Sequence, residues 1–151
     1  MDKKIEKMTV FRAPALFMVI FYGLLLVWTV ATVPLIYQKF QHGGFRGDRL
    51  YMFMIAFFYL FTWFWSLGLF YYISLDLEGQ VVLKSLRRRL ELPAQKIRGI
   101  EGSRFSGGFG FVKLKLPWES GYLFCPGRNK ELDEIIAGIR KRNPLLKMVR
   151  I

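Results

Sequence analysis

The chain predicts a membrane protein of the α+β class: a two-helix transmembrane hairpin, then a small antiparallel β domain capped by a C-terminal helix. Three observations carry that prediction. Two runs, 13–37 and 50–73, lack any charged residue, and each exceeds the ~20 residues that cross a hydrocarbon core roughly 30 Å thick. From Ile73 onward the pattern changes to a two-residue alternation, Ile73, Leu75 and Leu77 against Ser74, Asp76 and Glu78, the signature of a half-buried strand. Near the end, Leu132, Ile135, Ile136 and Ile139 recur at helical spacing, which marks one amphipathic helix.

The hairpin comes first. A helix apolar on every side has no polar face to offer water, and a domain of this size has no room to bury two. Pro14 suits a first helical turn, where its missing N–H costs nothing. Pro34 is expected to kink or end the first span. Residues 38–49 form the loop, with His42 solvated in it. The second span is rich in aromatics. Lipid contact and packing on the first span account for them, with Tyr51, Tyr71 and Tyr72 at the interfaces. No Asp, Glu, Lys, Arg or His interrupts either run, so the chain lacks the group at depth that an ion or proton path needs. Both are longer than the apolar core of a cleaved leader, and an uncleaved anchor is expected.

Charge sets the orientation. Lys3, Lys4, Lys7 and Arg12 precede the hairpin. Lys84, Arg87, Arg88 and Arg89 follow it, against Lys39, Arg46 and Arg49 in the loop. The excess on the flanks places both termini in the cytoplasm. Residues 1–12 then read as a basic N-terminal arm. Residues 74–151 carry 16 Lys/Arg against 8 Asp/Glu, a formal +8 of the chain's +12. A domain so charged and so close to a bilayer meets membrane lipids before any other polyanion. Nucleic acid is not an expected partner, because no recognition motif is present and the aromatics are not interleaved with the basic residues.

Within 74–151, Glu78-Gly79-Gln80 reads as a turn, 81–86 as a strand and Arg87-Arg88 as the next turn. Leu90 and Leu92 then face inward, and Pro93 ends that strand. A strand over 97–105 is weakened by Gly99 and Gly102. Ser106-Gly107-Gly108 forms a hairpin turn, after which Val112, Leu114 and Leu116 oppose Lys113 and Lys115. Residues 117–121 turn into a strand over 122–125, and about six strands are expected in all. Asn129 caps a helix over 129–143, with acidic residues in its first turns and Arg140, Lys141 and Arg142 in its last, both favourable to its dipole. The apolar tail 145–151 is expected to dock on the sheet, on a neighbouring subunit or on the membrane.

The stretch "YYISLDLEGQVVLKSLRRRLELPAQKIRGIE" and the closing helix "NKELDEIIAGIRKRNP" resemble the bacterial pleckstrin-homology-like (PH-like) domain of small YdbT-type membrane proteins. That resemblance implies a PH-like β-roll behind a transmembrane hairpin in the bacterial inner membrane. The first strand-to-strand turn, Glu78-Gly79-Gln80, lacks the basic residues of phosphoinositide-binding members of the wider fold, so specific phosphoinositide recognition is not expected.

Chemistry is sparse. There is no Ser/His/Asp set, no metal-ligand cluster and no phosphate loop, since Ser106-Gly107-Gly108-Phe109-Gly110 lacks both the spacing and a following helix. Cys125 stands alone and is expected to be a buried structural thiol. No catalytic residue, cofactor or metal is assigned. The residues expected to meet anionic lipid or an acidic partner are Lys84, Arg87, Arg88 and Arg89. The expected function is a non-catalytic, membrane-anchored interaction module, a scaffold or assembly factor at the cytoplasmic membrane surface, with protein partners or self-association. The alternative is a small accessory subunit of a larger membrane enzyme or transporter.

Overall fold

The computed structural model describes residues 8–42, 49–102, 110–125 and 129–149. The chain divides into two compact units: Ala15–Leu67, and a second unit drawn from the sequence on both sides of it.

The first unit is helical. α1 (Ala15–Gln41) and α2 (Arg49–Leu67) have 27 and 19 residues, about 40 and 28 Å of helix. Both are long and apolar enough to cross a membrane. A core helix of a soluble domain buries most of its surface; α1 buries no residue and α2 only Ser66. Pro34 lies inside α1 and does not end it, for the helix runs on to Gln41. Apolar helices gain nothing from hydrophobicity when their surroundings are equally apolar, so close packing and polar contacts must hold such a pair together. Three contacts do. Tyr22 Oη donates to the Ser66 carbonyl at 2.6 Å, Trp63 Nε1 donates to Thr29 Oγ1 at 3.0 Å, and the Thr32 and Tyr59 hydroxyls bond each other. Positions 22, 29 and 32 share one face of α1, and 59, 63 and 66 one face of α2. Trp28 stacks on Tyr59 with ring centres 4.9 Å apart.

The second unit corrects the first reading at its start. β1 (Thr9–Arg12) and β2 (Phe70–Leu75) lie on opposite sides of the hairpin in sequence, yet they pair antiparallel, Phe11 opposite Ile73 and Arg12 opposite Tyr72. The Ala13 N–H extends the ladder to the Tyr71 carbonyl at 2.8 Å. Within the stretch 1–12 expected to be a basic arm, Thr9–Arg12 is therefore a strand of the domain, with Phe11 only 1% exposed, while residues 1–7 lie outside the described residues. The apolar run over 50–73 is likewise divided: the helix stops at Leu67 and Phe70 opens a strand. Hydropathy alone cannot separate a buried strand from a helix, whereas pairing with β1 and β3 on either side does. Ser74, expected to face out, is buried between Val10 and Val82, and Leu77 is exposed beyond the strand's end.

β3 (Gln80–Ser85) and β4 (Arg89–Pro93) continue the meander from β2. Gly79 makes the first turn possible with φ of 85°, a left-handed value that favours glycine. A 3₁₀ turn, Ala94–Lys96, then leads to β5 (Gly99–Glu101), shorter than the strand expected over 97–105. Residues 103–105 of that expectation and the turn at 106–108 lie outside the described residues. β6 (Gly110–Lys115) and β7 (Ser120–Cys125) form a hairpin, and β8 (Lys147–Val149) comes from the tail. The order is β4-β3-β2-β7-β6-β5-β8, with β1 on β2.

The architecture is α+β, but the sheet is mixed rather than purely antiparallel. β2 meets β7 in parallel at Phe70 and Leu123, and β5 meets β8 in parallel. A parallel partner needs a crossover, and the chain that returns from β7 through the last helix to β8 supplies one. The described part of the tail thus docks on its own sheet.

α3 (Lys130–Arg142) begins where Asn129 accepts from the Glu131 N–H at 3.0 Å. Its face of Leu132, Ile135, Ile136 and Ile139 closes a core with Phe11, Ile73, Leu83 and Leu114. The helix end is tied by Asn143, whose Nδ2 lies 2.7 Å from the Ile97 carbonyl and 3.3 Å from those of Ala94 and Gln95.

Candidate functional site

The four basic residues singled out in sequence sit at one end of the β3–β4 hairpin. Lys84 lies on β3, Arg87 and Arg88 in the turn, and Arg89 opens β4. The turn is held by Ser85, whose N–H and Oγ both bond the Arg88 carbonyl, at 2.8 and 3.1 Å. That fixed turn sends the four side chains to different tasks.

Arg88 is spent on structure. It pairs with Glu119 and lies over the Phe70 ring at 5.3 Å, its side chain only 25% exposed. Arg89 is exposed but pairs with Glu91 at 2.6 Å. Surface pairs of this kind contribute little to stability, yet they cancel the charge that an incoming anion would meet. Lys84 has no carboxylate within pairing distance among the described residues; its Nζ stands 4.5 Å from the centre of the Tyr72 ring. Arg87 is exposed in the turn. The cluster is therefore less cationic than its sequence implies, because Glu91 and Glu119 were not legible as its partners.

One cation that sequence reasoning left in the arm belongs here too. Arg12 ends β1 with its guanidinium 6.0 Å from the Tyr71 ring centre. No local signal could have found it, since 60 residues of sequence separate it from its register partner Tyr72.

Two concavities stand out among the described residues. One, of about 430 Å³, lies between β2 and α3, where Asp76 and Glu134 face Lys141 and Arg142. Arg142 closes one side by donating to the Leu77 carbonyl at 2.7 Å. Acids and bases are balanced there. The other, about 640 Å³, lies within the helical unit between Ile36 and Tyr59, with Lys39 and His42 beside it. His42 Nδ1 is 2.9 Å from the Gln38 carbonyl. Among the described residues no three His, Cys, Asp or Glu side chains come together as a metal site. Cys125 is buried on β7, 3% exposed. The second concavity also takes the hydroxyls of Thr32 and Tyr59, which are bonded to each other. Comparison with protein-family models, curated proteins and solved structures gave no match.

Proposed function

We propose that this chain is a non-catalytic, membrane-anchored interaction module. In this reading α1 and α2 cross the bacterial inner membrane as a hairpin. The α+β domain, of PH-like type, is held at the cytoplasmic surface as a scaffold or assembly factor for protein partners. The observation that carries the reading is the pairing of β1 with β2 around an unburied apolar hairpin. Strands joined in one sheet cannot lie on opposite sides of a bilayer, so both flanks of the hairpin share one side. The excess of Lys and Arg on those flanks supports the cytoplasm as that side.

Cysteine mapping tests it. In a Cys125→Ser background, single cysteines at His42 and at Glu91 are exposed to a membrane-impermeant maleimide in intact cells. Labelling at 42 but not at 91 is the expected result, with 91 labelled only after lysis. Labelling of both from outside, or release of the chain by alkaline carbonate, refutes the topology.

The accessory-subunit reading draws on a different observation. Phe53, Phe57 and Phe61 stack along α2 with ring centres 6.5 and 6.1 Å apart, and all three are exposed. Blue-native electrophoresis after mild extraction separates the two readings: migration as a large hetero-complex favours a subunit, migration as a monomer or homo-oligomer favours the self-contained module.

A further inference from the structure

Strand register brings together residues that sequence scatters. Arg12 on β1 is opposite Tyr72 on β2, Tyr72 opposite Lys84 on β3, and Lys84 opposite Arg89 on β4. Directly paired residues project from the same face of a sheet. The core face is the other one, lined by Phe11, Ile73 and Leu83 in the next register row. A single row across four strands therefore carries three cations and one tyrosine on the outer face. Arg89 is paired with Glu91. Arg12 and Lys84 have no carboxylate partner among the described residues and rest instead against the rings of Tyr71 and Tyr72.

The row's position in the chain narrows the ligand. Arg12 precedes Ala15 of α1 by three residues, and Tyr72 follows Leu67 of α2 by five. Extended chain covers at most about 3.4 Å per residue, so these residues lie no further than about 10 and 17 Å from the helix ends. The headgroup layer begins where the hydrocarbon stops. Tyrosine favours that layer, having an apolar ring and a polar tip. A guanidinium offers forked donors to phosphate, and an ammonium adds a mobile point charge.

We propose that Arg12 and Lys84, set against Tyr71 and Tyr72, form a seat for the phosphate of an anionic phospholipid in the leaflet where α1 enters and α2 leaves. The proposal rests on the hairpin reading above. The seat exists only when β1 is paired, so it couples lipid contact to the pairing of β1 with β2.

The test uses the full chain in neutral detergent micelles titrated with phosphatidylglycerol or phosphatidylcholine, with bound lipid counted by native mass spectrometry. Wild type is expected to retain phosphatidylglycerol in preference to phosphatidylcholine. Arg12→Gln/Lys84→Gln is expected to weaken that retention about twenty-five-fold, two cations at about fivefold each. Arg12→Lys/Lys84→Arg should keep most of it. Arg140→Gln/Lys141→Gln removes the same charge from the exposed end of α3 and is expected to leave retention within threefold. Protection of the buried Cys125 from alkylation reports that each variant is folded. Retention by the Arg12/Lys84 double Gln variant within threefold of wild type overturns the seat, as does an equal loss in the α3 variant. Glycerol phosphate displacing the lipid at equal concentration would show a soluble-anion site and overturns the lipid assignment. Failure of the hairpin reading shows separately, as release of the chain from native membranes by carbonate.

Discussion

The boundary between α2 and β2 can be tested by a single methyl group. Gly121 is buried on β7, and a Cβ built there would stand 2.6 Å from Phe70 Cε2 and 3.1 Å from its Cδ2. Carbon atoms pack best at about 3.5–4.0 Å, so the ring must retreat by about 1 Å. It has little room, being fully buried with Arg88 over its face. In a strand, Gly→Ala taken alone is favourable by roughly 0.5–1 kcal/mol. Overpacking a filled core costs about 1–3 kcal/mol. The clash outweighs the backbone gain, and Gly121→Ala is expected to destabilise the domain by about 1–2 kcal/mol. At about 4–8 °C per kcal/mol for a domain of this size, the midpoint falls by roughly 4–16 °C.

Cys125 is the chain's one cysteine and is buried in the same strand. Its alkylation with rising temperature therefore reports opening of the domain and is blind to the helices. Phe70→Leu makes room for the methyl, so in the double variant the two costs should fall short of their sum by about 1 kcal/mol, the coupling expected of touching residues. Stabilisation by Gly121→Ala, or strict additivity with Phe70→Leu, would mean that Phe70 does not lie against β7. The run over 50–73 would then be helical to its end, as hydropathy alone implies.

Asn143→Ala removes the amide that serves the carbonyls of Ala94, Gln95 and Ile97. The Ala94 carbonyl keeps the Ile97 N–H, but leaving the buried Ile97 carbonyl unmet costs about 1–3 kcal/mol, read as an earlier Cys125 alkylation midpoint. In the helical unit, Thr29→Val deletes the acceptor of Trp63 Nε1. Hydrogen bonds between membrane helices average about 0.6 kcal/mol, so the hairpin should survive in detergent with a small shift in tryptophan emission. Loss of the helix pair on that one change would mean that the polar contacts, rather than packing, hold it.

Much of the β domain was legible because its signals are local. The alternation around Val81, Leu83 and Leu92, the glycine turn at 79 and the capped amphipathic helix after Asn129 each specify their structure within a few residues. The candidate site was less so. Lys84 and Arg87 to Arg89 are conspicuous in sequence, but whether a cation is available depends on what folds beside it. Glu119 comes from the β6–β7 hairpin to occupy Arg88, and Glu91 turns back on Arg89. Arg12 acquired a place in that row only through a partner beyond the hairpin.

Hydrophobic length and periodicity are properties of consecutive residues, and by themselves they determined the two apolar helices, the α+β class and the helix that closes the sheet. Tertiary structure decided where α2 gives way to β2, that residues 9–12 are a strand, and that the tail pairs in parallel with β5. Each of those depends on backbone hydrogen bonds to a partner distant in sequence. Phe70 to Ile73 are as apolar as the helix before them; only the strands that flank them make them extended.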